Sequence, residues 1–346
     1  MQYRKLGNSG AVVSAYCLGT MTFGGAGFWT AIGELDQATA DAIVARALDA
    51  GVNFIDTADV YSEGLSEQIT GRAMVNSGRA RSDIVLATKC TGGTGKGVND
   101  RGSSRGHIMD AVKASLKRLN TDYIDLYQIH WASRGSYNFE GSWTYAPHTQ
   151  DTADVLANIE DMLEGLGALV KEGKIGHIGV SNETTWGIAQ WLRIAEQKGL
   201  PRLVSVQNEY NLTRRQFDLD MAELSHHEQV GLLAYSPLAG GLLTGKYQNG
   251  AVPDGSRADY QKGFWRYNEH SDAAAAAYLA LAARHGLDPA QMAIAFTLSR
   301  PFNTASIIGA TSTEQLALAI GAAEVVLSPD VLAEIEAIHR RFPRPI

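Results

Sequence analysis

The feature that most constrains the fold is an alternation. Short apolar runs and helical patterns follow one another from end to end, and eight such pairs can be counted. Residues 12–18, 53–56, 83–88, 123–130, 175–180, 203–208, 231–235 and 306–309 read as strands. Between them, residues 36–50, 66–75, 105–119, 152–172, a segment capped by Asn182 or Thr184 and running to 198, 217–228, 272–285 with 289–298, and 313–322 read as helices. Ala40, Ile43, Val44, Ala47 and Leu48 share one helical face, as do Ile108, Val112, Leu116 and Leu119. Strict alternation implies parallel strands joined by right-handed crossovers. Eight units close into a (β/α)8 TIM barrel. The rival, an open doubly wound sheet, wants a Gly-rich dinucleotide turn after its first strand, and G-x-G-x-x-G is not found there. No composition shift divides the chain, so residues 1–346 are expected to form a single domain, with an additional C-terminal helix over 329–340 that starts on Pro329.

Composition narrows the function classes. A formal charge of −7 without a basic stripe argues against a nucleic-acid surface. No apolar run approaches membrane-spanning length, and the N-terminus lacks the apolar core of a secretory signal. Cys17 and Cys90 are far apart and make no disulfide framework, so a reducing cytoplasm is expected. The His226-His227 pair lacks partners at metal-ligand spacing, and no metal is expected. No heptad or exposed apolar stripe marks an oligomer.

Three connections exceed ordinary length, residues 22–35, 131–151 and 244–271. Each follows a strand, so each belongs at the C-terminal face of a barrel, where binding function concentrates. They carry Phe23, Phe28, Trp29, Trp131, Tyr137, Phe139, Trp143, Tyr145, Phe264, Trp265 and Tyr267, the material of an aromatic-lined pocket. Phe23, Trp29 and Trp131, with Tyr61 and His130, are the expected substrate-pocket residues.

Polar groups at strand ends converge on one mouth. Asp56 ends the second strand, Tyr61 lies in the loop after it, Lys89 ends the third and His130 the fourth. A tyrosine with a pKa of about 10 is a poor acid near neutrality. A nearby lysine lowers that value by stabilising phenolate. Asp56 can hold the lysine in place, and His130 can donate to a substrate oxygen. Together they suit the reduction of a carbonyl.

These residues sit in longer motifs: L-G-T-M-T-F-G at 18–24, F-I-D-T-A-D-V-Y at 54–61, S-L-K-R-L-N-T-D-Y-I-D-L-Y-Q-I-H-W at 115–131, G-K-I-G-H-I-G-V-S-N at 173–182 and A-Y-S-P-L-A-G-G-L-L-T-G-K-Y at 234–247. Through them the chain resembles the aldo-keto reductase superfamily over essentially its whole length, and most of all its bacterial Tas-type members. The resemblance implies a catalytic tetrad of Asp56, Tyr61, Lys89 and His130, with Tyr61 as general acid. It implies NADP(H) bound in extended form without a Rossmann fold. Ser181, Asn182 and Gln207 match residues that hold the nicotinamide carboxamide, and Tyr235 matches the ring that stacks on it. Asp56 borders the nicotinamide, and Gly19, Thr20 and Met21 belong to the same cofactor set. Ser236, Pro237, Leu238 and Gly240 match a pyrophosphate loop, Lys246 and Arg257 match phosphate contacts, and Gly309, Thr311 and Gln315 match the adenosine end. The substrate class implied is a small-molecule aldehyde, ketone or alcohol. A cofactor-sensing NADP(H)-binding module with little turnover, like the channel-associated β subunits of this fold, is the alternative. Three positions, in two places, depart from the pattern. Leu318 and Ala319 stand where relatives often carry Glu-Asn against adenine, and Ala132 stands where Pro often follows His-Trp.

Overall fold

The computed structural model describes residues 1–92, 97, 101–138, 143–260 and 266–346, without the side chains of Phe28 and Ala31. Strands β1 (Tyr3–Lys5) and β2 (Val12–Ser14) form an antiparallel hairpin. The eight strands that follow are β3 Tyr16–Gly19, β4 Phe54–Asp56, β5 Val85–Cys90, β6 Ile124–Ile129, β7 Ile175–Ser181, β8 Leu203–Glu209, β9 Gly231–Tyr235 and β10 Asn303–Ile308. They close a parallel barrel in sequence order, with β10 pairing to β3. The helices are α1 Gln37–Asp49, α2 Leu65–Asn76, α3 Arg105–Leu119, α4 Thr152–Lys171, α5 Thr185–Lys198, α6 Asp220–Glu228, a single turn α7 at Arg257–Tyr260, α8 Glu269–Arg284, α9 Pro289–Leu298, α10 Thr313–Gly321 and α11 Pro329–Arg341. No single helix among the described residues is long and apolar enough to cross a membrane.

Local chemistry starts the helices where the sequence suggests. Asp36, Ser104, Asp151, Asp288, Ser312 and Ser328 each accept a first-turn backbone N–H at the N-cap. Of the two candidates for capping α5, Thr184 does so, accepting from the Gly187 N–H at 3.2 Å. Asn182 takes a left-handed conformation (φ 54°) and serves the barrel mouth instead.

The continuous strand expected over residues 12–18 is two strands. Residues 12–14 turn away to pair with 3–5, and β3 begins only at Tyr16. The largely apolar run hides this break, because the hairpin caps the barrel floor and turns Leu6 and Val13 into it while Tyr3 and Val12 stay exposed. Leu6 and Val13 pack with Cys17, Phe54, Ala87, Leu126, Val204, Leu233, Ala305 and Ile307 inside the barrel. The larger cluster lies between strands and helices and includes Tyr16, Leu18, Ile55, Leu86, Tyr127 and Ile129. Strand side chains alternate between these two layers.

That alternation positions the mouth. Phe54 faces the interior, so Asp56 does too. Ala87 carries the same parity to Lys89, Leu126 carries it to Gln128 and His130, and Leu233 to Tyr235. Parallel register then stacks Gly19 beside Asp56 and Lys89 beside Gln128.

Outside the barrel, α2 meets α3 at Gly71, where a Cβ would lie 2.4 Å from the Leu119 carbonyl oxygen. Alanine is the better helix former by about 1 kcal/mol, but overpacking against a fixed backbone costs about 1–3 kcal/mol. Gly71→Ala is therefore expected to lower the melting temperature by a few degrees. A thermal unfolding curve at or above wild type would contradict this packing.

Candidate active site

Lys89 is fully buried beneath the barrel mouth, and its Nζ donates to three oxygens. These are Asp56 Oδ2 at 2.5 Å, the Thr57 carbonyl at 2.7 Å and the Tyr61 hydroxyl at 3.3 Å. The other carboxylate oxygen, Asp56 Oδ1, accepts from Gln128 Nε2 at 2.9 Å and Gln207 Nε2 at 3.0 Å. Gln207 also donates to Gln128 Oε1 at 3.1 Å. Asp56 is thus saturated by fixed donors and holds the lysine in one geometry. Burial opposes the ammonium, but Asp56 and Tyr61 outweigh it and hold Lys89 above the ordinary lysine range.

Tyr61 corrects an expectation. Lys89 does favour its ionisation, through charge and hydrogen bond, but burial is stronger and Asp56 adds to it. The net effect raises the phenol above the ordinary tyrosine value. The side chain is therefore held as a neutral O–H donor, already in contact with the cation that would receive its phenolate.

His130 lies at the edge of Tyr61, ring centroids 5.7 Å apart, and stacks on Trp131 at 3.8 Å with 13° between planes. Trp29 meets Tyr61 from another side at 5.0 Å. Burial, and then Lys89, push the imidazole well below its usual pKa, so it is neutral. Its Nδ1 is buried without a hydrogen-bond partner among the described residues. Nδ1 is closed off from solvent while the residue lines the cleft, so the nitrogen that can meet a ligand there is Nε2.

The cleft has a volume of about 940 Å³. It runs from Tyr61, His130 and Trp131 past Asp56, Ser181, Asn182, Gln207 and Tyr235. It continues over Ser236, Pro237, Leu238, Gly240, Lys246 and Arg257, and on to Gly309, Thr311 and Gln315, with Gly19, Thr20 and Met21 on the near wall. Every cofactor residue expected from sequence lines this one space. Asn182 accepts from the Tyr235 hydroxyl at 2.8 Å and donates to the His130 carbonyl at 3.0 Å, tying three strand ends together. Ser181 Oγ donates to the Gln207 carbonyl at 2.7 Å.

Whether the cleft fits a dinucleotide can be judged from its backbone. Ser236, Ala239, Gly240 and Gly241 all have positive φ, at 53°, 50°, 68° and 99°. Within this tight turn the Ala239 and Gly241 N–H groups donate to the Ser236 and Leu238 carbonyls at 2.8 and 2.9 Å, so the groups offered to phosphate oxygens are the cations beside the turn. Lys246 lies across Gly241, where a Cβ would meet its Cε at 2.5 Å. Arg257 remains cationic although burial and Arg266 bring its pKa down to about 10. Beyond them Leu318 and Ala319 line the end of the cleft with Ala290 and Ile294, an apolar wall. The residues present fit a phosphate-bridged nicotinamide cofactor.

Of the expected substrate-pocket residues, Trp29, Trp131, Tyr61 and His130 line the cleft and Phe23 does not. Phe23 is fully buried in the core, its backbone held between Thr20 and the Ser62 hydroxyl. Tyr137 and Tyr145 pack on each other at 5.9 Å, and Arg344 lies over Trp143 at 4.7 Å, so these rings serve the loop. Tyr267 packs against the core. Phe139, Phe264 and Trp265 lie outside the described residues, as does the side chain of Phe28.

Sequence reasoning missed Gln128, although its parity with His130 in Y-Q-I-H points it inward. It also missed Glu209 and Arg266. Arg266 forks onto Glu209 through Nε at 2.8 Å and Nη2 at 3.0 Å, tying the long loop after β9 to the end of β8.

The barrel is of the (β/α)8 kind, with the cleft at the C-terminal ends of its strands. The profile of the aldo/keto reductase family matches residues 15–340, and the chain belongs to that family. It is 41% identical to "Protein tas" of Escherichia coli (strain K12), over 100% of this chain and 99% of that protein. It is 34% identical to "Uncharacterized oxidoreductase YrpG" of Bacillus subtilis (strain 168), over 100% of this chain and 97% of that protein. A "Probable voltage-gated potassium channel subunit beta" of Arabidopsis thaliana is also 34% identical, over 99% and 98% of the two chains.

Proposed function

We propose that this protein is an NADP(H)-dependent reductase of aldehyde or ketone carbonyls, working reversibly on small molecules through the tetrad Asp56, Tyr61, Lys89 and His130. The observation that carries the reading is the Tyr61 hydroxyl, which lines the cleft while Lys89 Nζ stands 3.3 Å behind it. When bound, the nicotinamide supplies a hydride. Tyr61 supplies the proton to the carbonyl oxygen, and Lys89 stabilises the phenolate left behind. Neutral His130 donates one N–H toward that oxygen and orients it against Tyr61. Asp56, fixed by Gln128 and Gln207, keeps the lysine from following the proton. Trp29 and Trp131 wall the substrate side and exclude water.

The preference for NADP(H) over NAD(H) is supported by Lys246 and Arg257 along the far half of the cleft, since a 2′-phosphate gains from guanidinium and ammonium partners. Buried, unpaired Cys17 and Cys90 support a reducing cytoplasm. We place the whole activity in one domain over residues 1–346. A second reading, a cofactor-sensing module with little turnover, draws support from the relative named as a potassium channel subunit beta.

NADPH oxidation with a panel of simple aldehydes separates the two. The reductase reading expects oxidation that depends on both aldehyde and protein, and tighter binding of NADPH than NADH by fluorescence titration. Tight NADPH binding without turnover would favour the sensing module. No nicotinamide binding at all would contradict both.

A further inference from the structure

Gln128 is fully buried and does not line the cleft. Its amide nonetheless joins two sides of the site. Nε2 donates to Asp56 Oδ1 at 2.9 Å, and Oε1 accepts from Gln207 Nε2 at 3.1 Å. Gln207 Nε2 also donates to the same Asp56 oxygen at 3.0 Å. The three side chains close a triangle. One side of it spans a whole strand, since Gln128 is on β6, Gln207 is on β8, and Gly179 of β7 stands beside Gln128. A Cβ at Gly179 would lie 3.3 Å from Gln128 Cγ and 2.6 Å from Ser205 Oγ. Glycine leaves that lane open.

The sense of both amides follows from Asp56. A carboxylate only accepts, so each glutamine must turn its nitrogen toward Oδ1. The Gln207 nitrogen then has two acceptors for its two hydrogens, Asp56 Oδ1 and Gln128 Oε1. Its carbonyl oxygen is left over. Gln207 Oε1 accepts no hydrogen bond among the described residues, and it is not one of the unpartnered atoms shut away from the surface. Gln207 lines the cleft, so this oxygen is an acceptor offered to what lies there.

We propose that Gln128 is a positioning residue that locks the Gln207 amide, and that the acceptor so presented selects a cofactor ring bearing a carboxamide over one bearing a carboxylate. The inference rests on the nicotinamide cofactor proposed above. A carboxamide –NH2 can donate to Gln207 Oε1. A carboxylate in its place has no hydrogen to give and sets oxygen against oxygen, which leaves both without a partner. Without Gln128 the second Gln207 N–H loses its acceptor, and the amide is free to turn a donor toward the cleft.

Selection is read by binding and needs no turnover. Wild type should bind NADP⁺ about tenfold or more tighter than its nicotinic acid analogue in a fluorescence titration. Gln128→Met is similar in length and can neither donate nor accept, and in it that ratio should fall about fivefold or more. Adenosine 2′,5′-bisphosphate, which lacks the ring, should bind this variant as it binds wild type. Gln128→Glu supplies a rescue that depends on pH. Its protonated carboxyl donates through O–H and accepts through C=O, as the amide does, so selectivity at low pH should match wild type. Ionised, it sets a second carboxylate against Asp56, and that neighbour raises its pKa. Stability from a raised carboxyl is present at low pH and lost as pH rises through the folded value. The melting temperature of Gln128→Glu relative to wild type should therefore fall as pH rises. Wild type that binds both dinucleotides alike, an unchanged ratio in Gln128→Met, equal weakening of the bisphosphate, or a pH-independent melting difference for Gln128→Glu would each overturn the proposal. The wild-type ratio and Gln128→Glu decide it even if Gln128→Met does not fold. If wild type binds NADPH but reduces no carbonyl, the reductase reading fails while the binding ratios still decide the role of Gln128.

Discussion

Tyr61→Phe is expected to lower kcat for carbonyl reduction by roughly 10²–10⁴-fold, the range for loss of a positioned general acid, with NADPH affinity unchanged. The substitution removes one oxygen and leaves the ring, so the edge contacts to Trp29 at 5.0 Å and His130 at 5.7 Å persist. Lys89 loses a single partner and keeps the Asp56 carboxylate and the Thr57 carbonyl. The residues lining the far half of the cleft are untouched. Steady-state kinetics and a fluorescence titration on the same preparation check both halves of the expectation. Turnover at the wild-type level would mean that the proton comes from elsewhere, and that the phenol–lysine contact is only packing.

Lys89→Met is expected to damage folding and chemistry together. It leaves the Asp56 carboxylate buried with only the Gln128 and Gln207 amides, and losing one partner of such a pair costs about 3–5 kcal/mol. Thermal unfolding should show a marked fall in melting temperature. The loss should be full at neutral pH, because the folded-state value of Lys89 lies above the ordinary lysine range. Stability from a raised lysine is present below its unfolded value and lost as pH climbs through the folded one, so the gap between variant and wild type should narrow only in strong alkali. Whatever variant protein remains folded should lack carbonyl turnover, because the phenolate formed at Tyr61 would have no cation. A Lys89→Met protein with wild-type stability would contradict the burial and pairing described here.

The barrel was legible because eight apolar runs alternating with helical patterns leave few ways to bury both faces of a parallel sheet. The convergence of Asp56, Lys89 and His130 was legible for a related reason, since strand parity and register bring those ends to one mouth. The long loop cleft was legible only in part. Trp29 and Trp131 enter it, but Phe23 turns into the core, because one-dimensional spacing does not say which way a loop side chain points. The hairpin at the barrel floor was hidden by an apolar run that crosses from one strand to the next at Ala15. Gln128 was overlooked beside His130, although the same parity argument finds it. The state of Tyr61 could not be read at all. A lysine in the sequence suggests a depressed phenol, but desolvation depends on everything packed around the ring, and it reverses the sign.

The central claim, that this cleft moves a hydride to a carbonyl while Tyr61 supplies the proton, is tested most directly by isotope transfer. The protein is mixed with C4-deuterated NADPH and an aldehyde that it turns over, and the alcohol is examined by mass spectrometry. The account predicts deuterium on the carbinol carbon from one of the two C4 epimers only, one alcohol formed per NADPH consumed, and negligible transfer with Tyr61→Phe. Alcohol without deuterium from either epimer, or equal transfer with Tyr61→Phe, would contradict it.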